Sequence, residues 1–277
     1  MNMMGMMNMM KMERWTPGLN MVLRFAAAGL SVCLLAGIAG SQIRYRDDLP
    51  EAEFHMARVI YRTYGGGGSG RSRQPWWAID YPMAEEHFLP ALERLTNMSV
   101  AYDSRHLEVT DDRIFAYPFL FMQQVGRGNW RPTMVEAERL REYLLRGGFL
   151  VVDDFHGDYD WAIFESAMQL VLPGRPILEI PDDDPLMHVF FDLGDRIQIP
   201  GRRHLRFGGG DQVFAAMSGP PHWRGIYDEE GRLMVAISFN IDMGDAWEHA
   251  DDPYYPVEMT GLAYRLGVNY VIYAMTH

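Results

Sequence analysis

Residues 133–157 read TMVEAERLREYLLRGGFLVVDDFHG, and this stretch decides the fold. Thr133 and Glu136 have the spacing of a capping box, Ala137, Leu140, Tyr143 and Leu144 make one apolar stripe, and Gly147 and Gly148 supply a stop. Together they predict a helix over 133–146. FLVV (149–152) follows at once, apolar at every position, as expected of a strand covered on both faces of a parallel sheet. It ends in Asp153, Asp154, Phe155, His156 and Gly157.

The same alternation extends outward. ARVIYRT (57–63) reads as a strand stopped by the glycine run Gly65–Gly68, and Ala84, Phe88, Leu92 and Leu95 give residues 80–95 helical periodicity. A strand is expected near 98–102, and YPFLFM (117–122) is a second continuous apolar run. Beyond FLVV come a helix over 159–172, ended by Pro173 and Gly174, a short strand at 177–180 and a loop at 208–211. A hairpin of 225–227 with 233–239 turns at Glu230 and Gly231, and a helix over 257–275 closes the chain. Strands alternating with helices specify an α/β fold, an open, mostly parallel sheet with helices on both faces. In such sheets ligands sit beyond the carboxyl ends of the strands, so the segments after Thr63, Met122, Val152 and Phe239 should share one rim.

At 277 residues, with 48% hydrophobic and 22% charged content, the chain fits one globular domain plus an appendage, which excludes disorder and collagen-like repeats. Twenty-five basic against 37 acidic residues give a net charge of -12, which repels phosphate backbones, so no nucleic-acid partner is expected. Eight of the first twelve residues are methionine, and the uncharged run 25–38 (FAAAGLSVCLLAGI) lies between Arg24 and the small residues Ala39, Gly40 and Ser41. That is the layout of a secretory signal peptide. Residues 1–41 are therefore read as a signal peptide or N-terminal anchor, 42–55 as a short linker and 56–277 as a single domain. The protein is expected to be exported to the periplasm, and an uncleaved anchor over 21–43 is the alternative and its route to a membrane. Cys33 lies inside the leader, so the domain after it lacks cysteine. Disulfides, thiolate metal sites and cysteine nucleophiles are thereby excluded for that domain.

Asp153, Asp154 and His156 at a strand end suit a divalent cation or a carboxylate and imidazole paired for proton transfer. A helix cap is the plain structural reading. Adjacent strand residues point to opposite faces, so both aspartates reach one site only where the backbone turns. The second cluster, NIDMGDAWE (240–248), offers Asn240, Asp242, Asp245, Trp247 and Glu248. Both clusters on one rim would concentrate negative charge, which a metal, a polyhydroxylated ligand or a basic partner would relieve. EF-hand spacing is not met. GGGGSG (65–70) lacks the lysine and Ser/Thr of a phosphate loop and reads as a rim loop, and no nucleotide-cofactor motif is present. Trp76 and Trp77 suit stacking on a sugar ring or, equally, a lid over the core. His188, behind Asp182–Asp184, reads as a partly buried structural histidine. No G-x-S-x-G elbow and no H-E-x-x-H helix occur.

Taken in order, Gly65 to Trp77, YPFLFM, GGFLVVDDFHG, DDDPLMHVFFDL, LMVAISFNIDMGDAWE and GVNYVIYAMT resemble the bacterial family catalogued as domain of unknown function 4159, over roughly residues 54–276. That family is similar to the class I glutamine amidotransferase-like, flavodoxin-like fold. In amidotransferases of that fold the nucleophilic cysteine sits at the turn after the strand matching FLVV. Here the turn reads DDFHG, and a carboxylate forms no thioester, so the resemblance carries over the corner and not the glutaminase chemistry. The expectation is an exported domain binding a polar ligand (a carbohydrate or a cation) or an envelope protein, through Asp153, Asp154, His156, Asn240, Asp242, Asp245, Trp247 and Trp77. The alternative is a metal-assisted hydrolase with the strand-end carboxylates as ligands and Asp153, Asp154 and His156 as catalytic candidates. A third reading is a scaffold for an envelope complex. A divalent metal is the one cofactor the residues leave open.

Overall fold

The computed structural model describes residues 51–63, 74–194, 196–207 and 211–277. The expected leader, most of the expected linker and the glycine-rich segment 65–70 lie outside these residues, as do positions 208–210 of the expected loop. In chain order the elements are β1 (Ala57–Ile60), α1 (Met83–Thr96), β2 (Arg105–Glu108), β3 (Phe119–Gln123), α2 (Met134–Leu145), β4 (Phe149–Phe155) and α3 (Gly157–Val171). There follow β5 (Leu178–Glu179), α4 (Asp211–Ala216), β6 (His222–Tyr227), β7 (Leu233–Phe239), α5 (Met243–Glu248) and α6 (Val257–Thr276).

The seven strands form one sheet in the order β2-β1-β3-β4-β7-β6-β5. Pairing is parallel from β2 through β7, and β6 runs antiparallel between β7 and β5. Every residue of β3, β4 and β7 is buried, which is why these three read as unbroken apolar runs. Helix α2 begins as its sequence dictates. Thr133 Oγ1 accepts from the Glu136 amide at 3.2 Å, Glu136 Oε2 accepts from the Thr133 amide at 2.6 Å, and Ala137, Leu140, Tyr143 and Leu144 are the buried stripe.

Helices cover both faces. On one, Phe88 of α1 stacks on Trp247 of α5 at 4.2 Å, and Phe149 of β4 packs against Tyr270 and Tyr273 of α6. On the other, Phe155 of β4 packs against Trp161 and Phe164 of α3. Phe149 and Phe155 are an even number of residues apart and would share a face of a regular strand. They face opposite helices because the β4–β7 register shifts between Val152 and Phe155, where Asp154 adopts φ 56°. The sheet thus changes face where the acidic turn begins.

Two local expectations are corrected. The strand expected near 98–102 is a single bridge between Val100 and Phe54, and the paired strand is β2, seven residues on from Met98. As an edge strand reading RHLE, β2 lacks the apolar pattern that marks a buried one. Asp211 opens α4 instead of ending a loop. The segment behind β7 is helical at 243–248, because Asp242 Oδ1 accepts from the Asp245 amide at 3.0 Å and so caps α5. Among the described residues no helix is long and apolar enough to cross a membrane.

Candidate functional site

At the carboxyl ends of β3, β4 and β7 the chain makes a series of left-handed turns. Gln124 (φ 52°), Asp154 (φ 56°) and Asn240 (φ 56°) each follow or end a strand, and Asp80 (φ 63°) joins them from the segment before α1. Non-glycine residues in this region cost of order 1–3 kcal/mol each and concentrate at functional sites. Of these, Asp80, Gln124 and Asp154 line a cleft of about 290 Å³, together with Trp76, Arg127 and Asp242, and with Asp245, Glu248 and His249 from α5 and its end. Arg202, Arg203 and Arg206 close it from the segment preceding α4. The acidic turn after FLVV and the acidic segment behind β7 therefore line one hollow.

The turn at Asp154 separates the two adjacent aspartates by task. Asp153 is fully buried; its Oδ2 accepts from the amides of Met243 and Gly244 at 2.9 and 3.0 Å, while Oδ1 has no hydrogen-bond partner. Burial, with the Asp154 charge beside it, pushes the Asp153 carboxyl well above the usual range. Asp154 turns into the cleft, where Oδ2 accepts from Gln124 Nε2 at 2.5 Å and Oδ1 lies 2.9 Å from His156 Nε2. His156 Nδ1 is buried and unpartnered. Asp154, His156 and Asp242 each offer a ligand atom, and these atoms lie within 4.8 Å of one another.

A second such group, Asp245, Glu248 and His249, adjoins the first within the cleft. Burial raises the carboxyls of Asp242, Asp80 and Glu248; Asp154 and Asp245 add repulsion at Asp242, Asp245 and Asp154 at Asp80, and Asp245 at Glu248. Asp245 is the exception. Burial pushes it up, but hydrogen bonds from His249 and from the Arg202 amide at 2.5 Å hold it net below the ordinary range. The bond to Asp245 in turn raises the His249 imidazole. His204 is 8% exposed, and burial with the nearby Arg203 charge lowers it to about 4, so it is neutral near pH 7. Asp80 is held from behind: Gln123 Nε2 donates to Asp80 Oδ2 at 2.8 Å, and Gln123 Oε1 accepts from the buried Arg58, whose Nε meets Glu85 Oε1 at 2.5 Å.

Of the residues the sequence singles out, Asp154, Asp242, Asp245 and Glu248 line the cleft, with His156 adjoining Asp154. Asp153 lies behind them, tying β4 to α5. Asn240 ties the turn instead, with Oδ1 accepting from the Gly157 amide at 3.0 Å and Nδ2 donating to the Pro220 carbonyl at 3.0 Å. Trp247 is core: it stacks on Phe88, and its Nε1 donates to the Ala263 carbonyl at 3.2 Å. Trp77 is 6% exposed and packs edge-on against His106, whereas its neighbour Trp76 lines the cleft. His188 bonds Asp192 and the Asp182 carbonyl at the surface, away from the cleft-lining residues.

Sequence reasoning passes over Asp80, Gln124, Arg127 and the basic segment 201–206, GRRHLR. The last carries a readable signal, three arginines and a histidine within residues 202–206 of an acidic chain. A family model described as Domain of unknown function (DUF4159) matches residues 55–275. No curated protein matches the chain.

Proposed function

The chain belongs to this family of domains of unknown function, whose description names no reaction, and from that starting point we propose that it binds a polar ligand through a divalent cation held by Asp154, His156 and Asp242. One observation carries the reading: three ligand atoms within 4.8 Å, two of them carboxylate oxygens of buried residues whose charges repel. Burying like charges without a cation or a proton between them is costly, and a divalent ion removes that cost. A mixed imidazole and carboxylate set suits Mn²⁺ or Zn²⁺ better than Ca²⁺. The leader sequence around 25–38 supports export, which places this chemistry outside the cytoplasm in the same proposal. The second group, Asp245, Glu248 and His249, favours metal-assisted hydrolysis as a further reading of the same cleft.

The experiment is a thermal-shift and calorimetric titration of chelator-treated protein with Mn²⁺ and Zn²⁺. An ion at a thousandfold excess over its dissociation constant adds ~4 kcal/mol, or roughly 8–16 °C for a domain of this size. Asp154→Asn is the matched variant, since asparagine tolerates the left-handed backbone at φ 56° while giving up the anionic ligand. The expected result is a large shift in the wild type and its loss in the variant. Equal melting curves with and without ions would dispose of the reading.

A further inference from the structure

The basic wall of the cleft indicates what a cation there would hold. Arg127, Arg203 and Arg206 are exposed, line the same space as Asp154 and Asp242, and among the described residues none of the three makes an ion pair. Arg202, beside them, does pair, with Asp252. Arg127, Arg203 and Arg206 thus line the cleft together with Asp80, Asp154, Asp242, Asp245 and Glu248 without forming an ion pair to any of them. Arg127 lies over the Trp76 ring at 5.8 Å, and Arg203 Nε donates to His204 Nε2 at 3.1 Å.

His204 is the second, independent pointer. It is 8% exposed and its Nδ1 has no hydrogen-bond partner. With Nε2 accepting from Arg203, Nδ1 is the N–H side of the neutral ring. That nitrogen converges with Asp242 Oδ2 and Asp245 Oδ2 on Gly201, where an added Cβ would lie 3.0, 2.6 and 3.0 Å from them. A buried donor thus sits beside two of the carboxylates that line the cleft.

We infer that the cleft takes a phosphate group carried on a small polar molecule, its oxygens shared between the cation proposed above, on which this inference rests, and Arg127, Arg203, Arg206 and His204 Nδ1. A phosphate dianion offers three acceptor oxygens, which matches several guanidinium forks and a metal at once, whereas a carboxylate is satisfied by a single fork. A cleft of about 290 Å³ lies at the small end of the ~300–1,000 Å³ common for ligand sites, so the molecule bearing the phosphate is small.

The test is calorimetry with methyl phosphate as probe on the full chain, with and without saturating Mn²⁺, using R203Q/R206Q and R127Q. These arginines are exposed, and melting curves check that the variants fold. Methyl phosphate is expected to bind the Mn²⁺-loaded wild type and to bind each variant at least tenfold more weakly, with Mn²⁺ affinity kept or tightened. Mn²⁺ binding without methyl phosphate binding in the wild type would overturn this inference and leave the cation reading standing. Unchanged methyl phosphate affinity in both variants would overturn it equally. Failure of Mn²⁺ itself to bind would overturn the cation reading and this one with it.

Discussion

Replacing Asp242 by asparagine separates the stability of the fold from the use of the cleft. The side chain is 5% exposed and shares with Asp154 a cluster whose ligand atoms lie within 4.8 Å of one another. At an effective dielectric constant of ~20, two full charges at that distance repel by about 3 kcal/mol. The D242N substitution would keep the cap on α5, because asparagine and aspartate cap about equally well, and would give up only the charge. Allowing for donors that already screen Asp154, D242N is expected to stabilise the metal-free protein by ~2 kcal/mol, roughly 4–8 °C in melting temperature at pH 8. The same change removes a ligand atom, so Mn²⁺ should no longer raise its melting point. The pH dependence has a definite sign. Burial and neighbouring charge raise the folded carboxyl above its unfolded value of ~3.9, so the native state takes up the proton first. The wild type therefore bears the full penalty above the raised folded pKa, recovers stability as pH falls through it, and matches the unfolded state in protonation below ~3.9. The advantage of D242N should shrink toward zero over that window, measured by paired melts from pH 8 to pH 4. A variant less stable at pH 8, or an advantage indifferent to pH, would refute the account of Asp242 as a repelled, buried carboxylate.

Other expectations test the frame around the cleft. E85Q leaves Arg58 charged and fully buried beside a neutral partner, which should cost about 3–5 kcal/mol, read by chemical denaturation. T133A removes the side-chain half of the box that starts α2 and should cost ~1 kcal/mol, with cation binding unchanged. W247A should lose ~3–5 kcal/mol through the cavity left beside Phe88, and a Mn²⁺ affinity retained in the folded fraction would confirm that the indole serves the core. A W247A protein of wild-type stability that no longer binds Mn²⁺ would return this residue to the site.

The legible part of this chain is what repeats along it. The box at Thr133 and Glu136, the stripe on α2 and the apolar runs of β3, β4 and β7 are local patterns, and helix, central strands and strand-end rim follow from them. That Asp154, Asp242 and Asp245 would meet follows from the same rule, since Asp154 stands at the end of β4 and the other two just beyond β7, strands that a parallel sheet brings side by side. Which of two adjacent residues faces the cleft was settled in three dimensions. Asp154 enters and Asp153 turns to α5 because the β4–β7 register shifts at that point, and Trp76 rather than Trp77 reaches the rim. The arginines of 202–206 join from a segment with no strand to place it, through the Arg202 amide on Asp245 and the Arg202 ion pair to Asp252. Periodicity reports how often a chain buries a side chain. The direction of a single side chain depends on non-local register and packing, which neighbours in sequence do not encode.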